Sequence, residues 1–145
     1  MKIRFFRWYN VVLTALLSVL GFSSCSSEPM DMYGTPSTTY QILGNVTDEE
    51  GNLISGILVS AEEFADRHWY NLASKKTNHG EYYLNFESYG GTKLIIQDVD
   101  GEDNGGEFAS DTIDIDYKSA VKVKEGEGWN SGTYKITQNI QLKKK

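Results

Sequence analysis

Between Asp98 and Asp116 the chain carries eight acidic residues in nineteen positions and no basic one. Carboxylates at that density either hold a hard cation or repel one another into solvent. Calcium takes roughly six to eight oxygen ligands, many of them carboxylates on a flexible loop. The alternate spacing of Asp98, Asp100 and Glu102 converges three carboxylates when the chain curls, and Asn104 adds an oxygen. Gly101, Gly105 and Gly106 permit a tight fold around them. The EF-hand pattern is not met: counted from Asp98, its glycine position falls on Asp103 and its closing acid on Ala109. Two readings therefore stand, a weak calcium site and a solvated acidic loop whose repulsion salt screens.

Other chemistry is thin. His68 and His79 are the two histidines, and neither belongs to a spaced set resembling a hydrolytic triad. Two isolated imidazoles do not make a zinc site without further ligands. The many acids could contain a catalytic pair, but the separation such a pair needs, about 5–10 Å, cannot be read from spacing. The expectation is a non-enzymatic chain with no cofactor beyond calcium. Trp69, Tyr70 and Trp129 supply large amphipathic rings of the kind that anchor protein or carbohydrate contacts. The competing reading places such rings in the core of a small domain. Trp129 lies in the glycine-bearing stretch Glu125–Gly132, where either outcome is open.

The single thiol of the chain is Cys25, so an internal disulfide is excluded. Residues 1–10 carry Lys2, Arg4 and Arg7 and no acid, and residues 11–22 are almost wholly apolar or small. A basic start, an apolar run of this length and a small-residue exit describe a signal peptide over 1–24. The run is shorter than the roughly 20 residues a membrane-crossing helix needs. Ser23, Ser24 and Cys25 resemble the lipobox of bacterial lipoproteins, with Phe22 where an aliphatic residue is usual. That resemblance implies a diacylated, palmitate-bearing Cys25 as the mature N-terminus. Secretion with cleavage nearby and an uncleaved anchor are the alternatives. Acyl chains contribute about 0.8 kcal/mol per buried CH₂, so two or more hold a protein stably at a membrane.

Without Lys2, Arg4 and Arg7 the chain retains 11 bases against 20 acids, a formal charge of −9. Nucleic acid, which wants a basic footprint, is excluded as a partner. Residues 25–39 hold both prolines and no apolar periodicity, and read as a lipidated N-terminus and flexible tether. Residues 40–145 then form one domain.

The elements that must position these side chains are strands. Seven segments alternate or run apolar between Gly, Asn and Asp: 40–47, 53–60, 81–86, 92–99, 112–117, 120–124 and 132–142. The stretch 62–73 lacks a clean period and is expected to be an irregular excursion with at most one helical turn. Parity points Ile42, Val46, Ile57, Val59, Leu84, Phe86, Leu94, Ile96, Ile113, Ile115, Val121, Val123, Tyr134, Ile136 and Leu142 inward. Tyr82 shares the inward parity of Leu84, while Tyr83 and Asn85 face out. The fold class expected is all-β, a two-sheet sandwich of transthyretin-like or immunoglobulin-like kind.

Gly44–Val59 couples a glycine-bearing first strand, an Asp and Gly turn, and an aliphatic–Gly–aliphatic second strand. It resembles the opening of the carboxypeptidase regulatory-like, or transthyretin-like, family. Thr77–Leu84 is similar to that family's second signature, and Asn139–Leu142 to its closing strand. Tyr33–Pro36 with Asp98–Phe108 further resembles the lipoproteins associated with radical S-adenosylmethionine enzymes in Bacteroidetes-type bacteria. That resemblance implies a functional association with such an enzyme and supplies no biochemical activity. The expectation is an outer-membrane lipoprotein of the cell envelope, periplasmic or surface-exposed. Its partner would be an envelope protein or carbohydrate. A binding or assembly module stands first, a structural scaffold second, and an enzyme using acidic residues last.

Overall fold

The computed structural model describes residues 8–16 and 34–145. Cys25 and the tether up to residue 33 lie outside the described residues. The chain divides into two units, Met1–Tyr33 and Gly34–Lys145. In the first, residues 8–16 are helical, with the Thr14 hydroxyl donating to the Asn10 carbonyl at 2.7 Å. Among the described residues no helix is long and apolar enough to cross a membrane.

The second unit is a mostly β, two-sheet domain with little helix. Its strands are β1 (Ser37–Thr47), β2 (Ile57–Ala65), β3 (His68–Lys76), β4 (Glu81–Ser88), β5 (Thr92–Asp98), β6 (Asp111–Asp114), β7 (Val121–Glu125), β8 (Asn130–Thr137) and β9 (Ile140–Gln141). One sheet has the order β4-β1-β8-β7, with β9 also on β1; the other has the order β3-β2-β5-β6. β1 runs antiparallel to β4 and parallel to both β8 and β9. The chain therefore jogs between β8 and β9 while keeping one partner. Gly44 lies under that jog, where a Cβ would collide with the Gln138 carbonyl oxygen. Residues 37–39, read as the end of the tether, are the first residues of β1.

Alternation places the core. Ile42, Val46, Ile57, Val59, Leu84, Phe86, Leu94, Ile96, Ile115, Ile136 and Leu142 are buried, as parity expects, and so is Tyr82. Ile113 and Tyr134 are half-buried. Val121 and Val123 are corrections: they are 64% and 52% exposed. β7 is an edge strand; Val121 pairs with the exposed Lys135, and the register slips between Lys122 and Lys124. Alternation alone does not say which parity faces inward, and a bulge resets it. Phe108, buried in a loop without periodicity, was not expected in the core.

The stretch 62–73 is also corrected. β2 continues to Ala65, and β3 returns beside it after a two-residue turn at Asp66 and Arg67, with φ of 49° and 66°. Two positive φ values match the type I′ hairpin turn, which glycine or Asn usually marks. Along the hairpin Ala61 pairs with Ala73 but Glu62 with Asn71, so Leu72 is an extra residue. That bulge breaks the alternation that would have revealed the strand. The expected strand 53–60 begins only at Ile57, and 132–142 divides into β8 and β9; with β3 this makes nine strands where the sequence reads as seven.

Two turns fasten the ends. The Asp48 carboxylate accepts from the amides of Glu50 and Asn52 at 2.9 and 2.8 Å and from the Asn52 side chain at 2.9 Å. Asn52 foremost, then the Glu50 amide, holds Asp48 below the usual carboxylate range. Thr77, buried, donates to the Ile54 carbonyl at 2.9 Å and accepts from the Ile57 amide at 3.0 Å. The glycine-and-acid motif of the opening strands is thus a set of backbone fasteners.

Candidate functional site

The acidic loop leaves β5 at Asp98 and returns at Phe108. Asp98 Oδ1 accepts from the amides of Asp100 and Gly101, both at 3.1 Å, and Oδ2 accepts from the Phe108 amide at 2.8 Å. Burial would raise this carboxyl; the Phe108 amide, then the Asp100 side chain and the amides of Asp100 and Gly101, outweigh it and leave the net shift downward. Phe108 is buried, and the segment after it is bridged to the C-terminus, with the Ala109 amide donating to the Lys143 carbonyl at 2.9 Å. Asp98 therefore pulls the loop shut over its own backbone. Asp100 accepts from the Asn104 side chain, and its carboxylate occupies the space where Gly56, at φ 86°, has no side chain. Glu102 is exposed and makes no capping bond to the short 3₁₀ turn Asp103–Gly105. Among the described residues no group of three or more His, Cys, Asp or Glu is arranged to hold a metal ion. Asp98, Asp100 and Asn104 share the loop, bonded to the protein itself, and Glu102 stands outside that bonding.

A buried carboxylate on the sheet itself lies elsewhere. Glu63, on the inward parity of Ile57, Val59 and Ala61, is 7% exposed and accepts from the Ser88 hydroxyl at 2.7 Å. Ser88 and Thr92 pair their hydroxyls at 2.7 Å, and Ser88 also accepts from the Gly90 amide at 2.9 Å. The network joins the two sheets at one end. Reading 62–73 as irregular hid Glu63; continued alternation from Ile57 would have found it.

The aromatic residues split by sheet. Trp69 is 50% and Tyr70 48% exposed, both on the edge strand β3. Trp69 faces Phe64 across the hairpin, with ring centroids 5.2 Å apart and planes tilted by 55°. Phe64, 53% exposed, is the exposed ring that sequence reasoning missed, again through the misread excursion. Tyr70, next along the strand, pairs with Glu63 and so points to the other face. Trp129 is 41% exposed in the β7–β8 loop; its carbonyl accepts from the Ser37 amide at 3.0 Å. It belongs to the other sheet and does not join the Phe64–Trp69 pair. His68 and His79 sit at opposite ends of β3, with His79 in a turn at φ 50°.

A groove of about 610 Å³ runs over the outer face of β4, β1 and β8. Tyr83, Asn45, Asn78, Glu81, Lys75 and Asn139 contribute its polar and aromatic lining. Tyr83 and Leu43 pair across β4 and β1, as do Glu81 and Asn45 in the next outward row. Beneath them Tyr82 points inward and donates to the Gln138 carbonyl at 2.7 Å, and burial pushes its phenol pKa up.

No protein-family model and no curated protein matches the chain. Among solved structures, 3-chlorocatechol 1,2-dioxygenase from Rhodococcus opacus 1CP is similar in fold, with a TM-score of 0.50 and 12% sequence identity. The match covers 79% of this chain and 62% of that one. At this identity the likeness is one of fold alone.

Proposed function

We propose that the chain is a non-catalytic binding or assembly module of the bacterial cell envelope, held at the outer membrane by lipid on Cys25. The single observation that carries this reading is the β2–β3 hairpin. Phe64, Trp69 and Tyr70 are each about half exposed on it, and Phe64 and Trp69 form a tilted pair on one face. Aromatic rings are the residues most often found as binding anchors, and leaving them in water costs about 25 cal/mol per Å² of apolar surface. The basic leader and the small residues before Cys25 support the anchor. The motif turns at Asp48 and Thr77 support a transthyretin-like refinement of the fold. Association with a radical S-adenosylmethionine enzyme rests on sequence resemblance. The dioxygenase likeness brings no activity here.

The test is the double variant Phe64→Ser with Trp69→Ser, expressed from the full chain. It should still unfold cooperatively, melting only several degrees lower, and remain in the membrane fraction, while Cys25→Ser leaves that fraction. In envelopes solubilised gently, the native chain should migrate in a complex larger than itself and the double variant should not. Equal migration of the two would overturn the reading.

A further inference from the structure

We propose that the groove over β4, β1 and β8 binds a neutral oligosaccharide, with Tyr83 as the stacking surface and Asn45, Asn78 and Asn139 as hydrogen-bonding groups. This deepens the binding-module reading and rests on it.

Geometry comes first. Tyr83 is 50% exposed on the outer parity of β4, opposite Leu43 of the adjacent strand. An exposed ring offers its face to the C–H side of a pyranose, while the sugar's hydroxyls both donate and accept. Amide side chains match that dual character, since each carries two donors and an acceptor. Among the described residues the side chains of Asn45 and Asn78 bond no protein group. Asn139 commits only its oxygen, to the Asn45 amide at 3.0 Å, and keeps its NH₂. Beyond the groove the same face continues with Gln41 and Asn85, paired across β1 and β4, so the amide-rich surface extends along the strands.

Charge selects the ligand. Residues 34–145 hold 18 acids and 11 bases, a strongly negative domain. Within the groove, Lys75 and Glu81 balance each other. A neutral chain is attracted by this lining, and an anionic one meets a repelling domain without a compensating basic cluster. The volume falls in the range of roughly 300–1,000 Å³ typical of small-ligand sites.

The experiment uses the full chain in a zwitterionic detergent without a sugar headgroup. Binding is measured by calorimetry against neutral hexasaccharides of glucose, mannose, xylose and galactose, with an oligogalacturonate as the anionic control. At least one neutral probe should bind, with little dependence on salt. Tyr83→Ala and Asn45→Ala should each weaken it by about tenfold or more, which is the loss of one good contact. Glu127→Gln, exposed in the loop between β7 and β8, should leave it unchanged. The proposal is overturned if no neutral probe binds, if the anionic control alone binds, or if both groove variants, natively folded by their melts, bind as the parent does. The proposed function survives those outcomes if the hairpin variant still loses its envelope complex.

Discussion

The acidic loop and the aromatic hairpin are opposite uses of exposed chain. From Asp98 to Phe108 the loop is rich in charge, yet its first carboxylate gives both oxygens to three amides of its own backbone. The hairpin from Phe64 to Tyr70 is modest in charge, and its aromatic rings are each about half exposed, with Phe64 and Trp69 paired. Asp48 repeats the first pattern, and Tyr83 and Asn45 in the outer groove repeat the second. Polar or apolar character does not separate them. What separates them is whether the side chain's bonding capacity is satisfied within the fold, and the proposed function assigns the unsatisfied groups to a partner.

The largest expected effect sets the scale against which both regions are judged. Leu94 is fully buried at the centre of β5. Leu94→Ala should destabilise the domain by about 2–5 kcal/mol in denaturant titrations, through lost burial and the cavity left behind. A loss below about 1 kcal/mol would mean that the two sheets do not close over this position.

Next comes the loop. Asp98→Ala frees three amides and should cost about 1–2 kcal/mol. Amide exchange should quicken at Phe108 and along the strand segment that pairs with Lys143. The cost should be the same in calcium and in chelator, because the carboxylate serves the backbone. A loss seen only with calcium present would reassign the loop to the metal.

Acid sharpens the same contrast. Asp48, Glu87 and Asp98 all titrate below their ordinary values of 3.8, 4.5 and 3.8. Glu87 is held down first by the Ser37 hydroxyl and then by the Asn130 amide. A depressed carboxyl contributes stability that is complete above its unfolded value and disappears as pH falls through the folded one. The melting temperature should therefore hold from about pH 7 to about pH 5 and fall steeply below about pH 4. Asp48→Asn should flatten part of that fall, and an unchanged acid limb would remove Asp48 from this role.

The hairpin should give the smallest effect on stability. Trp69→Ser forfeits one aromatic pair, worth about 0.5–1.5 kcal/mol, and some half-exposed surface. Melts should barely move. A destabilisation as large as that of Leu94→Ala would make the ring a structural member and leave the hairpin without a binding surface.

Much of this fold was legible because alternation is a strong signal where one face is buried. Tyr82, Leu84 and Phe86 against Tyr83 and Asn85 needed no structure to assign. The misread places share a cause. Asp66 and Arg67 adopt a turn that their types do not advertise, the extra Leu72 interrupts the period, and Val121 and Val123 sit on an edge where neither parity is deeply buried. Phe108 is buried by a loop that closes on Asp98, a contact between residues ten apart with no periodicity to betray it. The aromatic residues Trp69, Tyr70 and Trp129 could be named from sequence, but not their separation onto two sheets. Asp98 could be named too, yet spacing says nothing about where carboxylate oxygens point.

The most direct measurement places a photoreactive amino acid at position 69 or at position 102 of the full chain in living cells. Both positions are exposed, one on the aromatic hairpin and one on the acidic loop. The account predicts a discrete crosslinked species in the envelope from position 69 and none from position 102. A crosslink from position 102 with nothing from position 69 would contradict it.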